Sequence, residues 1–165
     1  MEAIVTWYES GIGAWLPKEV FCFLVSMVPL VELRGGLIVA KLLDIPLLWA
    51  NVICIVGNIV PIPFILLFIR QIFAFMKEHG ILVKFVEWLE RHAEKKSKGQ
   101  ERGEFIFLWL FVGIPIPGTG AWTGSLIASL FRYDIKKASL AIFLGILTAT
   151  VLMDILSYGL LGLWF

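Results

Sequence analysis

Four apolar blocks succeed one another along the chain, at residues 20–40, 45–69, 105–131 and 138–165, with Asp154 inside the last. A helix crossing a hydrocarbon core of about 30 Å needs ~20 residues, so each block is long enough on length alone. Polar residues gather between the second and third blocks, where residues 77–104 hold 13 charged side chains. The pattern predicts an all-α integral membrane protein with a single aqueous excursion.

Two of the blocks carry residues that a plain spanning helix avoids. Residues 28–36 read VPLVELRGG and set Pro29, Glu32, Arg34, Gly35 and Gly36 in the middle of an apolar run. Residues 113–124 read GIPIPGTGAWTG and include Pro115, Pro117, Gly118 and Gly120. Proline removes a backbone donor and clashes with the preceding turn, and glycine adds backbone freedom. Broken backbone at membrane depth is tolerated only where protein or a water-filled cavity satisfies the freed groups. Both blocks are therefore expected to be re-entrant helical hairpins, with these seven prolines and glycines at the breaks.

The two broken blocks also match each other. Pro29 and Pro115, Asp44 and Asp134, and Gly57 and Gly145 are offset by 86, 90 and 88 residues. One unit, a broken hairpin followed by a transmembrane helix, occurs twice. Charge then selects a topology. Seven Lys/Arg lie in residues 77–104, which the positive-inside tendency makes cytoplasmic. If the third block turns back, Arg132, Lys136 and Lys137 also lie inside; if it crosses, as a plain four-helix protein requires, they lie outside. The re-entrant arrangement obeys the rule and gives the two halves opposite orientations, the inverted-repeat plan of many secondary transporters.

The expected organisation is a single membrane domain over residues 1–165. It comprises an interfacial N-terminal helix (1–17), repeat 1 (18–76), a cytoplasmic amphipathic linker (77–104) and repeat 2 (105–165). In the linker Ile81, Phe85, Trp88, Leu89 and His92 share a helical face while Lys84, Glu87, Glu90, Arg91 and Glu94 occupy much of the rest, as in helices that lie on a bilayer surface.

Composition removes the main alternatives. With 59% apolar residues and 16% charged, the chain departs from soluble domains, which average about 45–50% and 25%. A net charge of +1 gives no electrostatic basis for a nucleic-acid partner. Cys22 and Cys54 lie in apolar stretches and read as small hydrophobes rather than a disulfide or metal pair. The acidic N-terminus lacks the basic region of a signal peptide, so the first segment is expected to be retained. His79 and His92 have no HExxH, Cys–His or GxSxG context, so neither an enzyme nor a cofactor is expected.

Ionisable groups inside a membrane cost about 2.5–3.5 kcal/mol each at a helix centre, which makes them functional candidates by default. There are three: Glu32, Arg34 and Asp154. Glu32 is a candidate proton carrier and Arg34 a candidate partner for an anionic headgroup, since guanidinium binds carboxylate or phosphate in a bidentate fashion. The alternative is a structural ion pair that tethers the loop. Asp154 shares a helix face with Thr150 and either pairs with Arg34 or sits near the far interface. Asn58 either holds backbone freed by Pro61 and Pro63 or lines a cavity. Thr119 offers a hydroxyl to a bound group, while Gly120 and Gly124 have the spacing of close helix packing.

The segments ELRGG at 32–36 and PIPGTG at 115–120 resemble the small multi-drug export protein family of bacteria and archaea, whose plan is similar to that of the DedA and VTT-domain membrane proteins. The resemblance covers residues 20 to about 158. The family name implies export of small drugs. The DedA relation implies paired re-entrant hairpins, proton-dependent transport and lipid cargo, with acidic and arginine residues of the hairpins as the functional groups; Glu32 and Arg34 match in kind. The second hairpin here is uncharged where DedA-like proteins carry an arginine signature.

The expectation is a multi-pass transporter of the cell membrane, inner or plasma. It would couple protons to export or translocation of a small amphipathic or anionic-headgroup substrate. Lipid flipping or scrambling of DedA type is the runner-up, and a non-transporting membrane scaffold is the reading from a different class. The bilayer, protons and a small-molecule or lipid substrate are the expected partners, and a homodimer is one way for so small a chain to enclose a cavity.

Overall fold

The computed structural model describes residues 8, 11, 15–80, 87, 101–116 and 118–160. Among these the regular structure is helical throughout. We number the helices α1 (Lys18–Met27), α2 (Glu32–Leu42), α3 (Leu47–Ile59), α4 (Pro61–Glu78), α5 (Glu101–Gly113), α6 (Ala121–Leu130) and α7 (Ile135–Asp154), the last continuing into a π-helical turn, Ile155–Leu160. Most of the expected N-terminal and linker helices, and Pro117, lie outside the described residues.

Two helical stretches, Leu47–Ile69 and Ile135–Ser157, are long and apolar enough to cross a membrane, with mean hydropathy 2.7 and 2.2. The first joins α3 to α4 with only Val60 between them, and that residue keeps helical dihedrals. Pro61 causes no break there because it occupies the first position of α4, where a missing N–H costs little. By contrast α1, α2, α5 and α6 have 10, 11, 13 and 10 residues, each too short to cross alone. They occur as two pairs, α1 with α2 and α5 with α6, separated by residues 28–31 and 114–120. Pro29, Pro115, Gly118 and Gly120 occupy these intervals.

Gly35 and Gly36 do not. Expected at the first break, they lie inside α2. Their smallness serves packing instead: a Cβ on Gly36 would lie 3.0 Å from Cys54 Sγ and 3.2 Å from Ser26 Cβ, so α2 approaches α1 and α3 more closely than a side chain permits. The strain that glycine could have absorbed falls on neighbours, since Leu30 and Glu32 hold left-handed φ values of 72° and 50°.

Packing has the same plan in both halves. α1 lies on α3 and α5 on α7, while α2 and α6 each cross to the long helices of the opposite half, α2 to α7 and α6 to α4. Gly57 brings α3 against the Phe23 carbonyl, where a Cβ would stand 2.5 Å away, and Gly145 brings α7 against Val112 Cβ, at 2.6 Å. α2 and α6 end alike. Ile45 N donates to Ala40 O and Asp44 N to Lys41 O; Tyr133 N donates to Ala128 O and Arg132 N to Ser129 O, at the same 88-residue spacing. Asp44 and Arg132 take the left-handed φ, 50° and 54°, that this helix-ending motif demands. The core lies where the halves meet, around Leu33, Leu37, Leu108, Ile142 and Ile146. Leu48, Val52, Phe64, Phe68, Leu140 and Val151 face outward, an apolar surface suited to lipid.

Candidate functional site

Each break leaves helix ends whose backbone groups need partners. A free N–H or C=O in hydrocarbon costs several kcal/mol. The N-terminus of α6 exposes the N–H groups of Ala121 and Trp122, and both point at one side chain: Ala121 N donates to Glu32 Oε2 and Trp122 N to Glu32 Oε1, each at 3.0 Å. Glu32 is 5% exposed and stands at the start of α2, across from the helix it caps. The positive end of the α6 dipole faces the carboxylate. Two hydrogen bonds to a charged acceptor, at about 1.5–3 kcal/mol each, are enough to offset the insertion cost of the charge.

Gly120 makes room for this contact. A Cβ there would lie 2.7 Å from Glu32 Cδ, so the residue before the capped helix has to be glycine for the carboxylate to reach the N–H groups. Gly118, at φ 84°, provides the left-handed turn that aims the helix start.

Arg34 serves the other side of the same break. Its Nη2 donates to the carbonyl of Ile114 at 2.9 Å, to Val112 at 3.3 Å and to Thr119 Oγ1 at 3.2 Å, while Nη1 donates to the carbonyls of Ile116 and Thr119. Val112 belongs to the last turn of α5, whose negative end the guanidinium therefore covers. The Thr119 hydroxyl tightens the loop further, with Ile114 O and Ile116 O at 3.0 and 2.9 Å as acceptors. In the opposite direction, Trp122 Nε1 donates to Met27 O, the last carbonyl of α1, at 3.1 Å. Three broken helix ends are thus closed by side chains from the other half of the chain.

Beside these groups lies a small cavity of about 10 Å³, room for a single water, bounded by Glu32, Arg34, Asn58, Val112 and Ile146. Asn58 is 2% exposed and its Oδ1 has no hydrogen-bond partner. It borders the cavity.

Asp154 does not join this group. Its Oδ2 accepts from Asn51 Nδ2 at 2.7 Å, a bond from α3 to the end of α7, so of its two alternative placements Asp154 takes the one near the end of its span and not the pairing with Arg34. The reason is register: Arg34 is drawn to the α5–α6 break near the middle of the fold, while Asp154 lies close to the end of its span. Glu32, Arg34, Asn58 and Thr119 are therefore brought together, and Asp154 is set apart with Asn51. Sequence reasoning missed Asn51 and Trp122. The rule that singled out Asn58, an uncharged polar residue in an apolar block, applies equally to Asn51.

A second, larger cavity of about 340 Å³ opens where α5 and α7 begin, lined by Glu104, Phe105, Arg132, Tyr133 and Lys137 among others. Burial and the Glu104 charge hold the Tyr133 phenol above its usual value. This mouth lies at the end of the fold from which the charged linker departs.

Comparison with known proteins gives one family. A family model described as "Putative small multi-drug export protein" matches residues 32–152, from Glu32 at the first break to within two residues of Asp154. No curated protein and no solved structure matches the chain.

Proposed function

The chain belongs to the small multi-drug export protein family, and from that premise we propose that it is a multi-pass, proton-coupled transporter for a small amphipathic or anionic-headgroup substrate. One observation carries the reading: a single titratable carboxylate, Glu32, holds both leading N–H groups of α6. A proton on Glu32 removes the charge that the helix end attracts, weakens both bonds and frees the tip of the second hairpin. Loss of the proton closes the latch again. In the open state the α6 N-terminus and the Arg34 guanidinium together present donors to an anionic group, the chemistry of anion binding at helix N-termini. Substrate movement is thereby tied to proton movement without an enzymatic step.

Paired short helices, the matching helix ends at 88-residue spacing and the crosswise packing of α2 and α6 support two re-entrant hairpins in inverted repeats. With the charged linker in the cytoplasm, the protein would sit in the cell membrane with both hairpin tips at mid-depth. DedA-type movement of lipids uses the same elements and differs in cargo. A scaffold without transport is the competing reading, and full engagement of Arg34 by backbone carbonyls favours it, because a guanidinium so held is a good permanent tether.

The test is proton-gradient-driven movement of a fluorescent amphipathic probe in proteoliposomes. Glu32→Gln and Arg34→Ala are each expected to abolish it, with Glu32→Asp retaining part. Probe movement unchanged in both Glu32→Gln and Arg34→Ala overturns the proposal, and probe movement absent from the native protein as well favours the scaffold.

A further inference from the structure

Among the described residues three enclosed side-chain oxygens have no hydrogen-bond partner: Asn58 Oδ1, beside the latch, and the pair Asn51 Oδ1 and Asp154 Oδ1. The pair is a site of its own. Asn51 Nδ2 donates to Asp154 Oδ2 at 2.7 Å, while the remaining oxygen of each is left without a donor. Two enclosed acceptor oxygens without donors, one of them formally charged, are a costly arrangement even on half-buried residues. Such groups call for a missing proton, water or ion.

We propose that Asn51 and Asp154 form a proton-binding site in which the acid form of Asp154 donates from Oδ1 to Asn51 Oδ1. Carboxylic acid and carboxamide are complementary: the acid O–H meets the amide oxygen and the amide N–H meets the acid carbonyl. One proton satisfies both orphaned oxygens. A metal cation in the same place would need further oxygen ligands beyond the two on offer.

The charged surroundings are consistent with a neutral acid. α3 carries no charged residue, and its titratable group is Cys54, fully buried. On α2, Glu32 and Arg34 are committed to the α5–α6 break, and Lys41 stands in the last turn. α5 carries its charges, Glu101, Arg102 and Glu104, in its first turn at the opposite end, and α6 has none.

Asn51 and Asn58 are seven residues apart on α3, hence on one face and about 10 Å apart along the helix. The Asn51–Asp154 pair thus stands two turns from the cavity beside Glu32, toward the end of the fold opposite the charged linker. As a second proton station feeding the latch it deepens the transport reading and rests on it; the proton on Asp154 does not.

Infrared spectroscopy of the full chain in lipid bilayers separates the two. In Glu32→Gln protein at neutral pH, a protonated-carboxyl C=O band is expected that disappears in Glu32→Gln/Asp154→Asn. In Glu32→Gln/Asn51→Leu, which keeps Asp154, the band should move to higher wavenumber as the acid loses its amide partner. A band that survives Asp154→Asn overturns the proposal, as does no band in Glu32→Gln, or one that emerges only when sodium is withdrawn. Probe transport surviving Glu32→Gln while the Asp154 band behaves as expected would sink the latch and leave this site standing.

Discussion

Glu32 and Arg34, two residues apart at the start of α2, cap opposite helix ends across the same break: the carboxylate takes the N-terminus of α6 and the guanidinium the C-terminus of α5. Each charge sits at the dipole end of opposite sign. They act on the facing hairpin side by side, and the short sequence ELRGG holds a break that lies 80 to 89 residues away along these bonds.

Gly120→Ala tests whether the carboxylate needs that close approach. The new Cβ would displace Glu32 and leave the two N–H groups of Ala121 and Trp122 without their acceptor, a loss of about 1–3 kcal/mol for each. Thermal unfolding in detergent should show the drop. Combined with Glu32→Ala the two changes should be strongly non-additive, since either alone already breaks the same contact. Additive losses would mean that Gly120 acts through something else.

Arg34→Lys keeps the charge and discards the fork. An ammonium has three donors on a point charge and cannot reach carbonyls spread from Val112 to Thr119. Probe transport should fall nearly as far as in Arg34→Ala. Near-native transport in Arg34→Lys would show that charge alone suffices.

The breaks themselves are legible because proline and glycine act locally: VPLV at 28–31 and IPIPGTG at 114–120 interrupt their helices. Their edges are less so. Gly35 and Gly36 look like hinge residues in sequence, yet α2 runs through them because the demand for close packing against Ser26 and Cys54 is tertiary. The embedded charges could be listed from the sequence, but not their partners. Arg34 binds backbone carbonyls, which leave no side-chain signature, and Asp154 chose Asn51, a residue that differs from its neighbours only in polarity.

Gly57 and Gly145 occupy corresponding positions, and a methyl group at either would strike the neighbouring helix, at Phe23 O or at Val112 Cβ. Overpacking of this kind costs about 1–3 kcal/mol. Gly57→Ala and Gly145→Ala are expected to lower the unfolding temperature by similar amounts, because each forces apart the same type of helix pair. A large effect at one and none at the other would show that the halves do not share a packing plan.

The orientation of the two halves is decided by labelling a cysteine at position 41 and another at 136 with a membrane-impermeant reagent. Native Cys22 and Cys54 are fully buried and should stay unlabelled, so single substitutions in the native background are enough. Lys41 lies in the last turn of α2, at the end of the first broken helix pair, and Lys136 in the first turn of α7, just after the second. If both pairs turn back, one long crossing lies between the first site and the cytoplasmic linker, and none between the linker and the second. Lys41→Cys should then react from outside intact cells and Lys136→Cys only after permeabilisation. If instead the α5–α6 pair crosses, both react from outside. That result would restore a plain four-crossing topology and would also remove the shared depth at which Glu32, Arg34 and the α6 N-terminus are proposed to exchange a proton for a substrate headgroup.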